Sequence, residues 1–96
     1  MTLTIDITQL IATEIKTGIA AGTMTIGQAV KKLRTEWVKM SQEQFANFCE
    51  ISVRTLGQVE KDDGNPTIHT LASILSKFGM YITVEPAEAQ RSTSKG

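Results

Sequence analysis

The sequence predicts an all-α domain of four to five helices with one β-strand at its C-terminal end. Three observations carry that expectation. Apolar residues recur at helical spacing along successive stretches from Leu10 to Phe78. Each stretch follows a Ser, Thr or Asp able to cap a helix N-terminus. The β-branched and aromatic run Met80-Tyr81-Ile82-Thr83-Val84 comes after the last of them, behind Gly79 and ahead of Pro86.

Residues 3–7 (LTIDI) alternate apolar and polar and predict a short extended segment. Leu10, Ile11, Ile15 and Ile19 then fall on one side of a helix over residues 8–21, with Asp6 or Thr8 as N-cap and Gly22 as its end. Thr25 caps the next helix, whose stripe is Ile26, Ala29, Val30, Leu33 and Trp37. Ser41 opens QEQFANFC, with Gln44 placed to complete a capping box and Phe45, Ala46, Phe48 and Cys49 as apolar positions. Ser52 caps VRTLGQVEK, with Val53, Leu56 and Val59 inward. Asp62-Asp63-Gly64-Asn65-Pro66 is a turn cluster. Thr67 caps a last helix with Ile68, Leu71, Ala72, Ile74, Leu75 and Phe78 on its apolar side, and Gly79 stands where a C′ glycine belongs. The polar tail after Pro86 reads as disordered. The expected organisation is an N-terminal extension (1–24), a helical domain (25–85) and a tail (86–96).

The 96 residues suit one domain, and 41% hydrophobic with 21% charged is ordinary for a folded soluble chain. Nothing approaches a membrane span, and residues 1–10 have no basic n-region or long apolar h-region, so neither membrane nor secretion is expected. The single cysteine, Cys49, excludes an internal disulfide and fits a cytoplasmic location; its place on a helix's inward side reads as core. Ten basic and ten acidic residues cancel. Their distribution is uneven: Lys31, Lys32, Arg34 and Lys39 cluster, while Glu60, Asp62 and Asp63 gather near the turn. His69 has no second His or Cys beside it, so no metal is expected. No nucleophile–base pair, phosphate loop or nucleotide fingerprint occurs, which predicts a non-enzyme without a cofactor.

Residues 42–49 and 53–61, joined by Glu50-Ile51-Ser52, have the spacing of a helix-turn-helix. The outward side of the second helix carries Arg54, Thr55, Gly57, Gln58 and Lys61. Arg can bind guanine O6 and N7, and Gln adenine N6 and N7, while Gly57 allows close approach. The helix N-termini at Ser41-Gln42 and Ser52-Val53 suit phosphates. A helix pair of this kind also serves plain packing, and by composition the basic run also reads as a solvated face.

Ser41-Gln42-Glu43-Gln44-Phe45-Ala46, Ile51-Ser52 with Thr55-Leu56, Val59-Glu60, and Asn65-Pro66-Thr67 with Thr70-Leu71 together resemble the lambda-repressor-like (XRE) helix-turn-helix family over roughly residues 26–79. The step from the last helix into residues 80–85 resembles its HipB-like antitoxin branch. The resemblance implies a homodimeric transcriptional repressor on an inverted-repeat operator, with Met80, Tyr81, Ile82, Thr83 and Val84 paired between subunits. It also implies a toxin–antitoxin operon with a cognate toxin as partner. A phage or mobile-element repressor without a toxin is the alternative, and a protein-interaction module on the same fold is another. Gln42 matches a glutamine that contacts phosphate and steadies the recognition helix. Ser52, Val53, Arg54 and Thr55 match the DNA-facing first turn, and Gln58 the next exposed position. Lys39 and Lys61 complete the expected DNA-binding set. Glu60 matches a buried acid that pairs with an arginine, for which Arg34 is the candidate. The linker Trp37-Val38-Lys39-Met40 is a residue longer than the family's, which leaves that pairing open. Glu50 stands where the family has Gly, at a position that needs left-handed backbone.

Overall fold

The computed structural model describes residues 6–83. Five helices follow in order: α1 (Ile7–Ala21), α2 (Ile26–Lys32), α3 (Gln42–Cys49), α4 (Val53–Glu60) and α5 (Ile68–Ser76). Each starts at the polar cap read from the sequence. Asp6, Thr25, Ser41, Ser52 and Thr67 all have extended backbone and accept a hydrogen bond from an amide of the first turn. Thr25–Gln28 and Ser41–Gln44 are reciprocal capping boxes. Asp6 is the cap of α1 and Ile7 is already helical, which shortens the extended segment expected at 3–7; residues 3–5 lie outside the described residues.

The helix expected through Trp37 does not stay α-helical. After Lys32 it widens into a π-helical turn, Leu33–Trp37, closed by the Val38 amide donating to the Leu33 carbonyl at 3.1 Å. The Met40 amide reaches back to the Arg34 carbonyl at 3.0 Å. Arg34 lies within this turn, and its side chain is largely buried.

Two apolar clusters form the core. Val30, Phe45, Ala46, Cys49, Leu56, Val59 and Ile74 make one, between α2, α3, α4 and α5. Ile11, Ile15, Ala29 and Leu33 make the other, with Trp37, Leu75, Phe78 and Met80 packed on it. The N-terminal helix thus docks on α2 and the π-turn through Ile11 and Ile15. Lys32 reinforces the contact, with its Nζ 3.2 Å from Glu14 and 3.0 Å from Glu36. Those two carboxylates hold the Lys32 ammonium's pKa above its ordinary value, the Glu36 hydrogen bond first and that of Glu14 second.

Several positions expected inside are exposed. Ile26, Val53 and Ile68 are the first residues of their helices and are 42%, 43% and 72% exposed. A helical side chain leans toward the N-terminus, so an apolar residue in first place covers the space ahead of the helix and misses the core beneath it. Leu10 lies on the flank of α1's buried side and is also exposed. Residues 80–83 are irregular, and no strand occurs among the described residues; Val84 and the tail lie outside them.

Candidate nucleic-acid interface

The α3–turn–α4 unit is fixed by local hydrogen bonds. Glu50 follows α3 in the left-handed region (φ 60°, ψ 42°). There its amide donates to the Asn47 carbonyl at 3.1 Å and the Ile51 amide to the Ala46 carbonyl at 2.9 Å. These satisfy carbonyls that the end of α3 would otherwise leave open. Two residues on, the Ser52 hydroxyl oxygen accepts from the Thr55 amide at 3.0 Å and starts α4. The hydroxyl itself donates to Thr55 Oγ1 at 2.8 Å.

Leu56 and Val59 bury the inner side of α4. Val53, Arg54, Gln58 and Lys61 are exposed, and Thr55 and Gly57 are half-buried. The sequence-predicted residues of α4 therefore share one accessible surface. Lys39 is exposed in the linker before α3, with left-handed backbone at φ 54°.

The far end of α4 is held by a buried polar network. The Arg34 guanidinium donates to Glu60 from Nε (2.6 Å to Oε2) and Nη2 (3.1 Å to Oε1), and from Nη1 to the Met40 carbonyl (3.0 Å). Gln42 Nε2 donates to Glu60 Oε1 at 3.0 Å. The Arg34 and Glu60 side chains are 12% and 4% exposed. A forked guanidinium–carboxylate contact is both strong and directional. One carboxylate thus ties the end of the recognition helix to the π-turn and to the first turn of α3. The pairing left open by the longer linker is made, and Gln42 steadies α4 through Glu60.

A second tie was not legible in the sequence. Asp62, just past α4, adopts φ 55° and turns its carboxylate onto the start of α2. Oδ2 accepts from the Thr25 hydroxyl at 2.6 Å and Oδ1 from the Gly27 amide at 2.8 Å. Gly27 allows this approach: a Cβ there would collide with the Val59 carbonyl and lie 2.7 Å from Asp62 Oδ1. The C-terminal end of α4 cannot pivot without breaking a charged hydrogen bond.

The basic run divides. Lys32 faces Glu14 and Glu36, and Arg34 is built into the Glu60 network, whereas Lys31 is exposed. Cys49 is a buried core residue whose thiol is pushed up by burial, against a smaller lowering by Lys77. His69 is exposed on α5. Among the described residues no group of three His, Cys, Asp or Glu side chains is placed to hold a metal, and no helix is long and apolar enough to cross a membrane.

Two helices joined by a tight turn, the second presenting a polar outer face, form a helix-turn-helix. The chain belongs to the helix-turn-helix family, whose profile matches residues 30–84. It is 33% identical over 60 residues to the immunity repressor protein of Bacillus phage phi105, across 62% of this chain. The match spans only 41% of that relative's length. No solved structure matches.

Proposed function

We propose that this protein is a sequence-specific transcriptional repressor that binds an inverted-repeat operator as a homodimer. The observation that carries the reading is the outer face of α4, where Arg54, Thr55, Gly57 and Gln58 line a helix whose C-terminal end is tied twice, through Glu60 and Asp62. Arg54 and Gln58 bind base edges. Ser52, Lys61 and Lys39 hold phosphates, and Gln42 positions the helix. The likeness to a phage immunity repressor favours a phage or mobile-element role over the antitoxin role that the HipB-like resemblance implied. A toxin gene beside this one would reverse that preference.

Footprinting on the DNA upstream of its own gene tests the reading. The expected result is two protected half-sites about one helical turn, roughly 34 Å, apart. Arg54→Ala should weaken binding there by about 1–3 kcal/mol and relax the preference at one base pair per half-site. Absence of protection, with no salt-dependent binding to random duplex, would identify an interaction module instead.

A further inference from the structure

Glycine in a helix interior is destabilising, so its presence there calls for a reason. At Gly57 the fold supplies none. Its backbone is ordinary α-helix, and a Cβ built on it would meet nothing within 4 Å. Gly27 is the opposite case, with backbone and carboxylate pressed against it. One turn before Gly57 lies Val53, an apolar side chain on an otherwise polar surface and 43% exposed. The other exposed apolar residues in first place, Ile7, Ile26 and Ile68, are followed four places on by Ile11, Val30 and Ala72, which carry side chains. Only Val53 has a bare backbone there. Helical geometry places Val53, Gly57, Lys61, Arg54 and Gln58 side by side around α4, with the bare position flanked by Val53 and by the two cations.

We propose that Val53 and the bare backbone of Gly57 form a notch that receives the C5-methyl of a thymine in the major groove. The inference rests on the repressor reading above and assigns one of its specificity contacts. The thymine methyl is the apolar feature of the major-groove base edges, and an aliphatic side chain is its complement. Lys61 on the flank draws the DNA backbone toward the helix, and the missing side chain lets the base reach Val53.

The test starts by selecting the preferred site of the full-length protein from a randomised duplex pool. Each thymine of that site is then replaced singly by deoxyuridine, which lacks only the methyl. One position per half-site should lose affinity about fourfold, the change expected for one buried methyl-sized group. Val53→Ser should abolish that discrimination while leaving the other thymines as they were. Gly57→Ala should raise the melting temperature by roughly 4–8 °C. It should also weaken the selected site at least tenfold and leave random duplex unaffected. Tolerance of deoxyuridine everywhere, or a Gly57→Ala protein that binds its site normally, overturns the notch while the repressor reading stands. Selection of no preferred sequence overturns both.

Discussion

The Arg34 guanidinium lies along both oxygens of the Glu60 carboxylate, and it reaches them from a π-helical turn. Removing one partner of a buried pair strands the other without compensation. Glu60→Ala should therefore lower stability by about 3–5 kcal/mol, because it leaves the guanidinium unpaired and releases Gln42. Replacing both partners by apolar residues, as in Arg34→Met with Glu60→Leu, should recover much of that loss yet weaken DNA binding, since α4 would no longer be held in direction. Urea unfolding checks the first part. A loss below about 1 kcal/mol, as for exposed pairs, would show that solvent reaches the pair.

Among the described residues, three with side chains occupy left-handed backbone: Lys39, Glu50 and Asp62. Left-handed geometry costs an L-residue roughly 1–2 kcal/mol, and glycine gives back about 0.5–1 of that through its freer unfolded state. Lys39→Gly and Glu50→Gly should each stabilise the protein by about 0.5–1 kcal/mol. Asp62→Gly should do the reverse, since it deletes the acceptors of Thr25 and Gly27. Melting temperatures of the three variants decide the matter, and a stabilised Asp62→Gly would mean that its two hydrogen bonds contribute less than the strain.

The Asp6 carboxyl is held below the ordinary carboxylate range by hydrogen bonds from the Thr8 hydroxyl and amide, the hydroxyl first. A folded pKa below the unfolded one gives stability that is present above the unfolded value, about 3.9, and lost as pH falls through the lower folded value. Asparagine caps a helix without titrating. The stability gap between the native protein and Asp6→Asn should thus be constant near neutrality and shrink in acid below about pH 4. Thermal melts across that range measure it; a gap independent of pH would remove the charge from the cap's action.

Met80 packs on the second core cluster, and its amide donates to the Leu75 carbonyl at 3.0 Å. Tyr81 and Ile82 are 80% and 43% exposed. A chain ending after Met80 should keep its fold and its weak affinity for random duplex. It should also sediment as a monomer and lose binding to a two-half-site operator, because the segment that the family resemblance pairs between subunits is gone. A dimer that survives this truncation would move the interface to the helices.

The helices were readable because capping and periodicity are local: Thr25, Ser41, Ser52 and Thr67 each act within their own first turn. The left-handed Glu50 was readable for a similar reason, since it occupies a turn of fixed length. What escaped depends on partners far away in sequence. The carboxylate of Asp62 acts on residues 35 and 37 positions earlier, and Gly27 matters only once Val59 lies against it. Lys32 reads as one of a basic run, and its partner Glu14 comes beside it only through the docking of α1. The π-turn is not marked in the pentapeptide that forms it.

Phe78 belongs to both halves of the interior. Its ring meets Trp37 edge-on at 5.2 Å and stacks on Phe45 at 6.0 Å, so it borders the cluster that seats α1 and the one beneath α4. Either cluster loses one wall if the other opens. The protein should therefore melt in one concerted step, with α1 and the recognition helix failing together. Trp37 is the only tryptophan, so its emission is a single optical reporter for the whole transition and should track the loss of far-ultraviolet helicity at every denaturant concentration. An operator that stabilises α4 should by the same linkage stabilise the docking of α1 as well.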